Sequence, residues 1–326
     1  MKDSFGREID YLRVSITDRC NLRCIYCMPE SGVEEILSHE DILSYEEIVR
    51  VCAAFAELGL KKVKITGGEP LVRKNAAGLV ARIKSLSGIE QVTMTTNGVL
   101  LRQNVKELKA AGLDGVNISL DTLDPAVFRR ITRFGNLAGV LDGLDAAVEA
   151  GIPSIKINCV PIAGINCGGA ADLAALARER DIKVRFIEMM PVGLGANFRY
   201  VGGMEIRRML EEAYGEMTPY VGKLGNGPSV YYTIPGFRGQ IGFISAVTSC
   251  FCERCNRVRL TANGFLKTCL NFDVGTNLLP ALREGDEALL QEAIRLTVLS
   301  KPQKHAFFRN DGTLRAETKI MSQIGG

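Results

Sequence analysis

Asp18-Arg-Cys-Asn-Leu-Arg-Cys-Ile-Tyr-Cys27, read as DRCNLRCIYC, is the stretch from which the rest of the chain can be understood. Cys20, Cys24 and Cys27 form a C-x3-C-x2-C run, three soft thiolates within one short loop, a donor set suited to an iron-sulfur cluster or a zinc ion. A structural zinc site is normally closed by four ligands, whereas a four-iron cluster held by three thiolates keeps one iron open for chemistry. The next candidate ligands, His39 and Cys52, are too far along the chain to close a knuckle.

Working outward, Tyr11–Thr17 just before the cysteines reads as a strand, and the same signal returns at Lys62–Thr66, Gln91–Thr95, Gly115–Leu120, Ser154–Val160 and Lys183–Glu188. Amphipathic helical runs separate these strands. The first opens on a capping box, Ser44 with Glu47, and stops at Gly59, while others stop at Gly112 and Gly151. Six βα units predict an α/β fold, a partial (β/α)6 TIM-like barrel, with an open doubly wound sheet as the alternative. Five of the six strands alternate apolar and polar residues: Arg13, Ser15, Lys64, Thr66, Thr93, Thr95, Asn117, Ser119, Lys156 and Asn158 share one parity. If helices cover the apolar face, the polar face lines a wet lumen; the plainer alternative is a one-sided sheet facing solvent.

From about Met217 the rhythm changes to short hairpin-like strands, Val230–Ile234 and Gly239–Ala246, then a cysteine-rich segment and an ionic tail. This divides the chain into residues 1–216, the barrel, and 217–326, a smaller C-terminal domain. A second triplet lies there, Cys252-x2-Cys255-x13-Cys269. Alone it reads as a zinc ribbon lacking a ligand, with Cys250 able to supply it.

The chain has 326 residues, 46% hydrophobic and 24% charged, and a net charge of +3, too mild to argue for nucleic acid. Its N-terminus carries scattered charges without an apolar h-region, and no apolar run reaches membrane-spanning length, so a cytoplasmic protein is expected. Six of the ten cysteines fall in the two triplets. Cys52 and Cys159 read as small buried apolar residues, and Cys167 and Cys250 stay undecided. No P-loop motif occurs, so any nucleotide is held differently.

The aromatic Tyr26 before the last cysteine of the front triplet, and Thr66-Gly67-Gly68-Glu69-Pro70 one βα unit later, make the chain resemble the radical S-adenosylmethionine enzymes. Within that superfamily it is similar to the GTP 3′,8-cyclase family. The motifs are YLRVSITDRCNLRCIYCMP, ITGGEPLVR, TTNG, NISLDTLDP, FIEMMPVG, FCERCNRVRL and a closing MSQIGG, spread over nearly the whole chain. The resemblance implies two 4Fe-4S clusters, a catalytic one on Cys20, Cys24 and Cys27 and an auxiliary one on Cys252, Cys255 and Cys269 whose open iron binds guanine. It implies S-adenosylmethionine contacts at Tyr26, Gly68, Ser119 and Met190, and GTP contacts at Arg13, Lys64, Thr95, Lys156, Arg257 and Arg259. The implied reaction is radical cyclisation of GTP, the first step of molybdenum cofactor biosynthesis. The implied partners are an electron donor and a downstream cyclic pyranopterin monophosphate synthase, with no nucleic acid and no membrane; the oligomeric state is left open, a homodimer being one option. Lys64 stands where the family usually has arginine, which keeps the charge but loses the planar fork, and Val258 where it has a small residue. The family's Gly-Gly end, here Gly325 and Gly326, implies a tail reaching the active site, with Arg257 and Arg259 to receive it. The alternatives are another radical enzyme with an auxiliary cluster, such as a peptide-modifying one, and a non-enzymatic zinc or redox-sensing protein.

Overall fold

The computed structural model describes residues 1–33, 37–38, 40–308, 317 and 319–325, so His39 and Gly326 lie outside the described residues. The six expected strands form as β1 (Tyr11–Ser15), β2 (Lys62–Thr66), β3 (Gln91–Thr96), β4 (Gly115–Ser119), β5 (Ile155–Cys159) and β6 (Lys183–Ile187), each paired parallel to the next in chain order. Alternation selects this arrangement. Leu12, Val14, Val63, Ile65, Val92, Met94, Val116, Ile118 and Ile157 all point into one apolar core and are fully enclosed.

The helices that cover this face are α1 (Tyr45–Glu57), α2 (Ala76–Lys84), α3 (Leu101–Ala110), α4 (Pro125–Thr132), α5 (Leu137–Glu149), α6 (Ala170–Ala175) and α7 (Gly203–Tyr214). The capping box at the start of α1 forms as expected: Glu47 N donates to Ser44 Oγ at 3.1 Å and Ser44 N to Glu47 Oε2 at 2.7 Å. Each of these bonds satisfies an amide that a helix start leaves without an intrahelical acceptor.

The parallel sheet is wider than the six strands read from the sequence. The strands after residue 217 are β7 (Thr218–Pro219), β8 (Val230–Thr233), β9 (Gln240–Ile244), β10 (Arg257–Leu260), β11 (Phe265–Lys267) and β12 (Gly275–Asn277). Both β9 and β10 join in parallel, β9 beside β6 and β10 beside β1, and the remaining short strands extend the two ends antiparallel. The result is one sheet of twelve strands in the order β12-β11-β10-β1-β2-β3-β4-β5-β6-β9-β8-β7. Among the described residues β9 and β10 pair onward to their hairpins and not to each other, so the barrel is partial. Pairing of β10 with β1 sets Arg257 opposite Tyr11 and Arg259 opposite Arg13. Thus the strand that follows the second cysteine pair is laid beside the strand that precedes the first.

The C-terminal part adds α8 (Leu279–Glu284), α9 (Glu287–Leu299) and a last turn, α10 (Met321–Ile324). Ile324 closes a small separate core with Val192 and Phe307. No described helix is long and apolar enough to cross a membrane.

Candidate active site between two cysteine triplets

The polar strand parity faces inward. It lines two adjoining cavities, of about 330 Å³ and 110 Å³, which share Arg13, Asn158, Pro228 and Arg257 among their walls. The larger holds all six cysteines of the two triplets together with Tyr26, Gly68, Thr95, Ser119, Met190 and Arg259; the smaller holds Lys64 and Lys156. Every residue expected to hold a cluster, S-adenosylmethionine or GTP therefore lines one of two adjoining cavities.

The front triplet sits on the loop that leaves β1. Cys27 N donates to Cys24 O at 2.9 Å, Leu22 N to Cys20 Sγ at 3.3 Å, and the Arg23 guanidinium folds back onto Cys20 O at 2.6 Å. Arg133, at the end of α4, ties the same loop down through Arg23 O and Met28 O. Burial pushes all three thiols up, Cys27 to about 12. Their mutual proximity adds to this at Cys24 and Cys27, and Asp121 adds at Cys24 and Glu69 at Cys20. Buried thiols that repel one another as thiolates become favourable ligands only when a cation replaces their protons.

Behind them, Gly68 approaches the chain so closely that a Cβ there would lie 2.3 Å from Arg19 O and 2.6 Å from Asp18 O. Only glycine fits that position. Glu69 of the same turn is enclosed and accepts from Thr96 Oγ1 at 2.7 Å, Asn97 N at 2.6 Å and Leu71 N at 3.0 Å, so it joins the GGEP turn to the TTNG turn. Burial raises its carboxyl to about 7. Tyr26 donates to Asp121 Oδ2 at 2.7 Å, and the other Asp121 oxygen accepts from Val160 N. Burial raises Asp121 to about 6 and Tyr26 well above its ordinary range, the latter with help from Asp121.

The second triplet is assembled from separate pieces: Cys252 and Cys255 precede β10, and Cys269 follows β11. Burial pushes Cys252 up to about 12. It also pushes on Cys255, but Lys301 and Arg257 more than offset it and hold that thiol below its ordinary range. Lys301 is itself buried, donating to Arg257 O at 2.9 Å and Thr268 O at 2.5 Å.

Next to the triplets, lining the smaller cavity, lies a group of cations that reaches the larger one through Arg13 and Arg257. Lys64, only 7% exposed, is driven well below its ordinary range by burial and then by Arg185, Arg13, Lys156 and Arg257. Arg185 donates to Asn158 Oδ1 at 2.9 Å, and the Asn117 carboxamide oxygen faces Lys64 Nζ and, at 3.2 Å, Arg185. Lys156 donates to Leu224 O at 2.5 Å and is lowered to about 8 by burial and then by Arg185 and Lys183. Neutral amides hold these charges apart without cancelling them, an arrangement complementary to a polyanion.

The C-terminal tail enters the same region. Arg259 Nη1 donates to Gly325 O at 2.6 Å, and a Cβ on Gly325 (φ +88°) would meet Thr66 Oγ1 at 2.9 Å. The Ser322 backbone bonds the Cys27 thiol, and Gly193 N donates to Glu317 O at 3.0 Å. Glu317 pairs with the fully buried Lys267 at 2.5 Å. Arg259 thus meets the tail as expected, while the other expected recipient, Arg257, lies over the rings of Tyr11 and Phe251.

Sequence reading missed Arg185 and Lys301, and it gave Glu69, Asn97 and Asp121 no role of their own although each lies within a motif it singled out. Arg185 was findable: it has the inward parity of β6, opposite Asn158 in register. Cys52 in α1 and Cys159 in β5 are buried as expected.

Residues 14–177 match the model of the radical SAM superfamily and residues 182–307 that of Molybdenum Cofactor Synthesis C. The chain is 46% identical over its full length to the GTP 3′,8-cyclase of Petrotoga mobilis, covering all of that protein. It is 47% identical over 99% of both chains to that of Geobacter sulfurreducens. The chain belongs to the GTP 3′,8-cyclase family. Among solved structures it is similar to Streptococcus suis SuiB bound to S-adenosylmethionine, with a TM-score of 0.65 and 16% identity over 92% of this chain and 73% of that one. At that identity the likeness carries the fold alone.

Proposed function

We propose that the chain is a radical S-adenosylmethionine GTP 3′,8-cyclase, converting GTP to (8S)-3′,8-cyclo-7,8-dihydroguanosine 5′-triphosphate in molybdenum cofactor biosynthesis. The observation that carries the reading is the group of buried, mutually repelling cations in a cavity that adjoins, through Arg13 and Arg257, the one holding both cysteine triplets. A nucleoside triphosphate supplies the missing negative charge, and its base and ribose then span the space between the triplets.

The residues fit the groups that the family implies. Cys20, Cys24 and Cys27 would hold one 4Fe-4S cluster, and Cys252, Cys255 and Cys269 the other, three thiolates each. Tyr26, Gly68, Ser119 and Met190 would hold S-adenosylmethionine, Gly68 by letting backbone come within contact distance where any side chain would collide. When bound, these groups supply a 5′-deoxyadenosyl radical able to remove the ribose 3′ hydrogen and start ring closure onto guanine carbon 8.

The chain's own part is positioning. Arg13, Lys64, Thr95, Lys156, Arg257 and Arg259, joined by Arg185, bind and orient GTP, the cations through charge-assisted bonds to phosphate oxygens. Arg and Lys at fixed points on a rigid sheet hold the ribose in one attitude, which is where most of the rate advantage of a preorganised site arises. Lys301 and Arg257 hold the Cys255 thiol below its ordinary range against the push of burial, which favours the thiolate that a metal needs. Asp121 fixes the Tyr26 ring, and Glu69 locks the GGEP turn. Gly325 holds the Arg259 guanidinium in place, so the tail helps to shape the substrate end.

Residues 1–216 would carry the radical-generating half and 217–326 the substrate-side cluster and tail. The protein would work in the reducing cytoplasm with an electron donor and hand its product to a cyclic pyranopterin monophosphate synthase. Anaerobic incubation of the iron-loaded protein with GTP, S-adenosylmethionine and a reductant, followed by mass analysis of the nucleotide, tests the reading. A product isomeric with GTP alongside 5′-deoxyadenosine supports it; recovery of unchanged GTP with unlinked cleavage of S-adenosylmethionine contradicts it.

A further inference from the structure

Cys250 belongs to neither triplet, yet it is not isolated. Its sulfur, the Cys252 sulfur and one His305 ring nitrogen all lie within 4.8 Å of one another. The two loops that carry them are clamped together: the Arg7 guanidinium donates to Cys252 O at 2.9 Å and to Gln303 O at 2.8 Å, and His305 N donates to Cys252 Sγ at 3.4 Å. The His305 ring is oriented by Phe307, 4.0 Å away between centroids, and by Ala246 O, 3.0 Å from Nε2. With Nε2–H donating to that carbonyl, Nδ1 keeps its lone pair, and Nδ1 is buried with no hydrogen-bond partner among the described residues. A histidine whose one nitrogen is held by a backbone carbonyl while the other is left bare is the arrangement that metal-binding imidazoles use. Two thiolates and an imidazole are a donor set for zinc, which takes sulfur at about 2.3 Å and nitrogen at about 2.0 Å in a tetrahedron. Cys250 is exposed, so a solvent water can complete the four.

We propose that Cys250, Cys252 and His305 form a zinc-binding site that is occupied when the second triplet carries no cluster. Cys252 is common to both sites, so zinc and the auxiliary cluster exclude each other; this exclusion rests on the reading that Cys252 holds that cluster. Zinc bound there keeps Cys252 from iron, and cluster assembly has to displace it. Cys250 thus acts as the ligand that decides whether Cys252 is held by zinc or by the cluster.

Cobalt(II), which takes zinc's tetrahedral sites and shows thiolate charge-transfer absorption, is the probe. The full-length chain, stripped of iron under anaerobic conditions, is titrated with cobalt alone and then with zinc as competitor. The expected result is one cobalt ion per chain with a thiolate band that zinc removes. The band is lost in Cys250→Ser and His305→Ala and kept in Cys255→Ser and Cys269→Ser. The opposite pattern, a band indifferent to Cys250→Ser but lost in Cys255→Ser, assigns the metal to the triplet and overturns the proposal. Circular dichroism of each variant separates a lost ligand from a lost fold, and Cys250→Ser, at an exposed position, is the variant that decides. Iron content of the reconstituted variants tests the shared-ligand reading separately: Cys255→Ser and Cys269→Ser should lose the second cluster, whereas Cys250→Ser should keep it and load it in the presence of zinc that blocks the unaltered chain. If iron-loaded protein binds cobalt as well as the stripped protein does, the two sites do not exclude each other, and the proposal fails even if both exist.

Discussion

Around Cys20 and Cys24 the carboxylates Glu69 and Asp121 push the thiols further up than burial alone does, whereas around Cys255 the cations Lys301 and Arg257 pull the thiol down. The front triplet is also local, one loop after one strand, while the second is gathered from segments before β10 and after β11. The difference follows from what each must face. A front cluster serving a sulfonium cofactor gains from nearby carboxylates, and a second cluster serving a triphosphate gains from nearby cations.

The largest effects separate the two halves outright. Cys24→Ala should abolish reductive cleavage of S-adenosylmethionine, whereas Cys255→Ala should abolish GTP cyclisation and leave some 5′-deoxyadenosine formation. Normal 5′-deoxyadenosine production by Cys24→Ala breaks the comparison at its first point. Iron analysis sharpens it: about eight irons per chain fits two four-iron clusters, and each variant should lose about half.

Next in size is the buried pair that seats the tail. Lys267 is fully enclosed against Glu317, so Lys267→Met leaves a buried carboxylate without its partner and should cost about 3–5 kcal/mol of stability. The double change Lys267→Met with Glu317→Leu should recover most of it in a denaturant titration. A single variant as stable as the unaltered chain shows that this pair does not anchor the second half.

Arg185→Ala or Lys156→Ala should weaken GTP more than guanosine. A lost charge-assisted bond is worth about 1.5–3 kcal/mol, or about ten- to a hundredfold in affinity. Equal losses for both ligands would assign these residues to the base or to the fold.

The smallest effect is a pH dependence. Lys156 titrates at about 8 in the free protein because burial and then Arg185 and Lys183 disfavour its charge. Bound phosphate favours the charged form and so raises that pKa. The added affinity is therefore fully present below pH 8 and falls as pH rises from 8 toward the higher pKa of the bound form, to about tenfold weaker binding at pH 9 than at pH 7. Lys156→Arg should flatten the profile measured by equilibrium binding.

Much of this was legible in the sequence because alternation carries two messages at once. The residues Leu12, Val14, Val63 and Ile65 set the core face, and the intervening Arg13, Lys64 and Thr66 set the lumen. The strand β10 was not legible as part of the same sheet: Arg257–Leu260 is short and charged, and only its long-range pairing with β1 makes it a barrel strand. Lys301 and Glu317 were illegible for a related reason, since their partners are thirty to fifty residues away along the chain and no local pattern announces a buried ion pair.

The measurement that bears most directly on the account is transfer of the ribose 3′ hydrogen. GTP carrying deuterium at carbon 3′ is incubated with the iron-loaded protein, S-adenosylmethionine and a reductant, and the 5′-deoxyadenosine is weighed by mass spectrometry. The cations beside the triplets should hold carbon 3′ at the adenosyl group, so the 5′-deoxyadenosine should gain deuterium in the unaltered chain and stay unlabelled in Cys255→Ala. Unlabelled 5′-deoxyadenosine from the unaltered chain while GTP is consumed would contradict it.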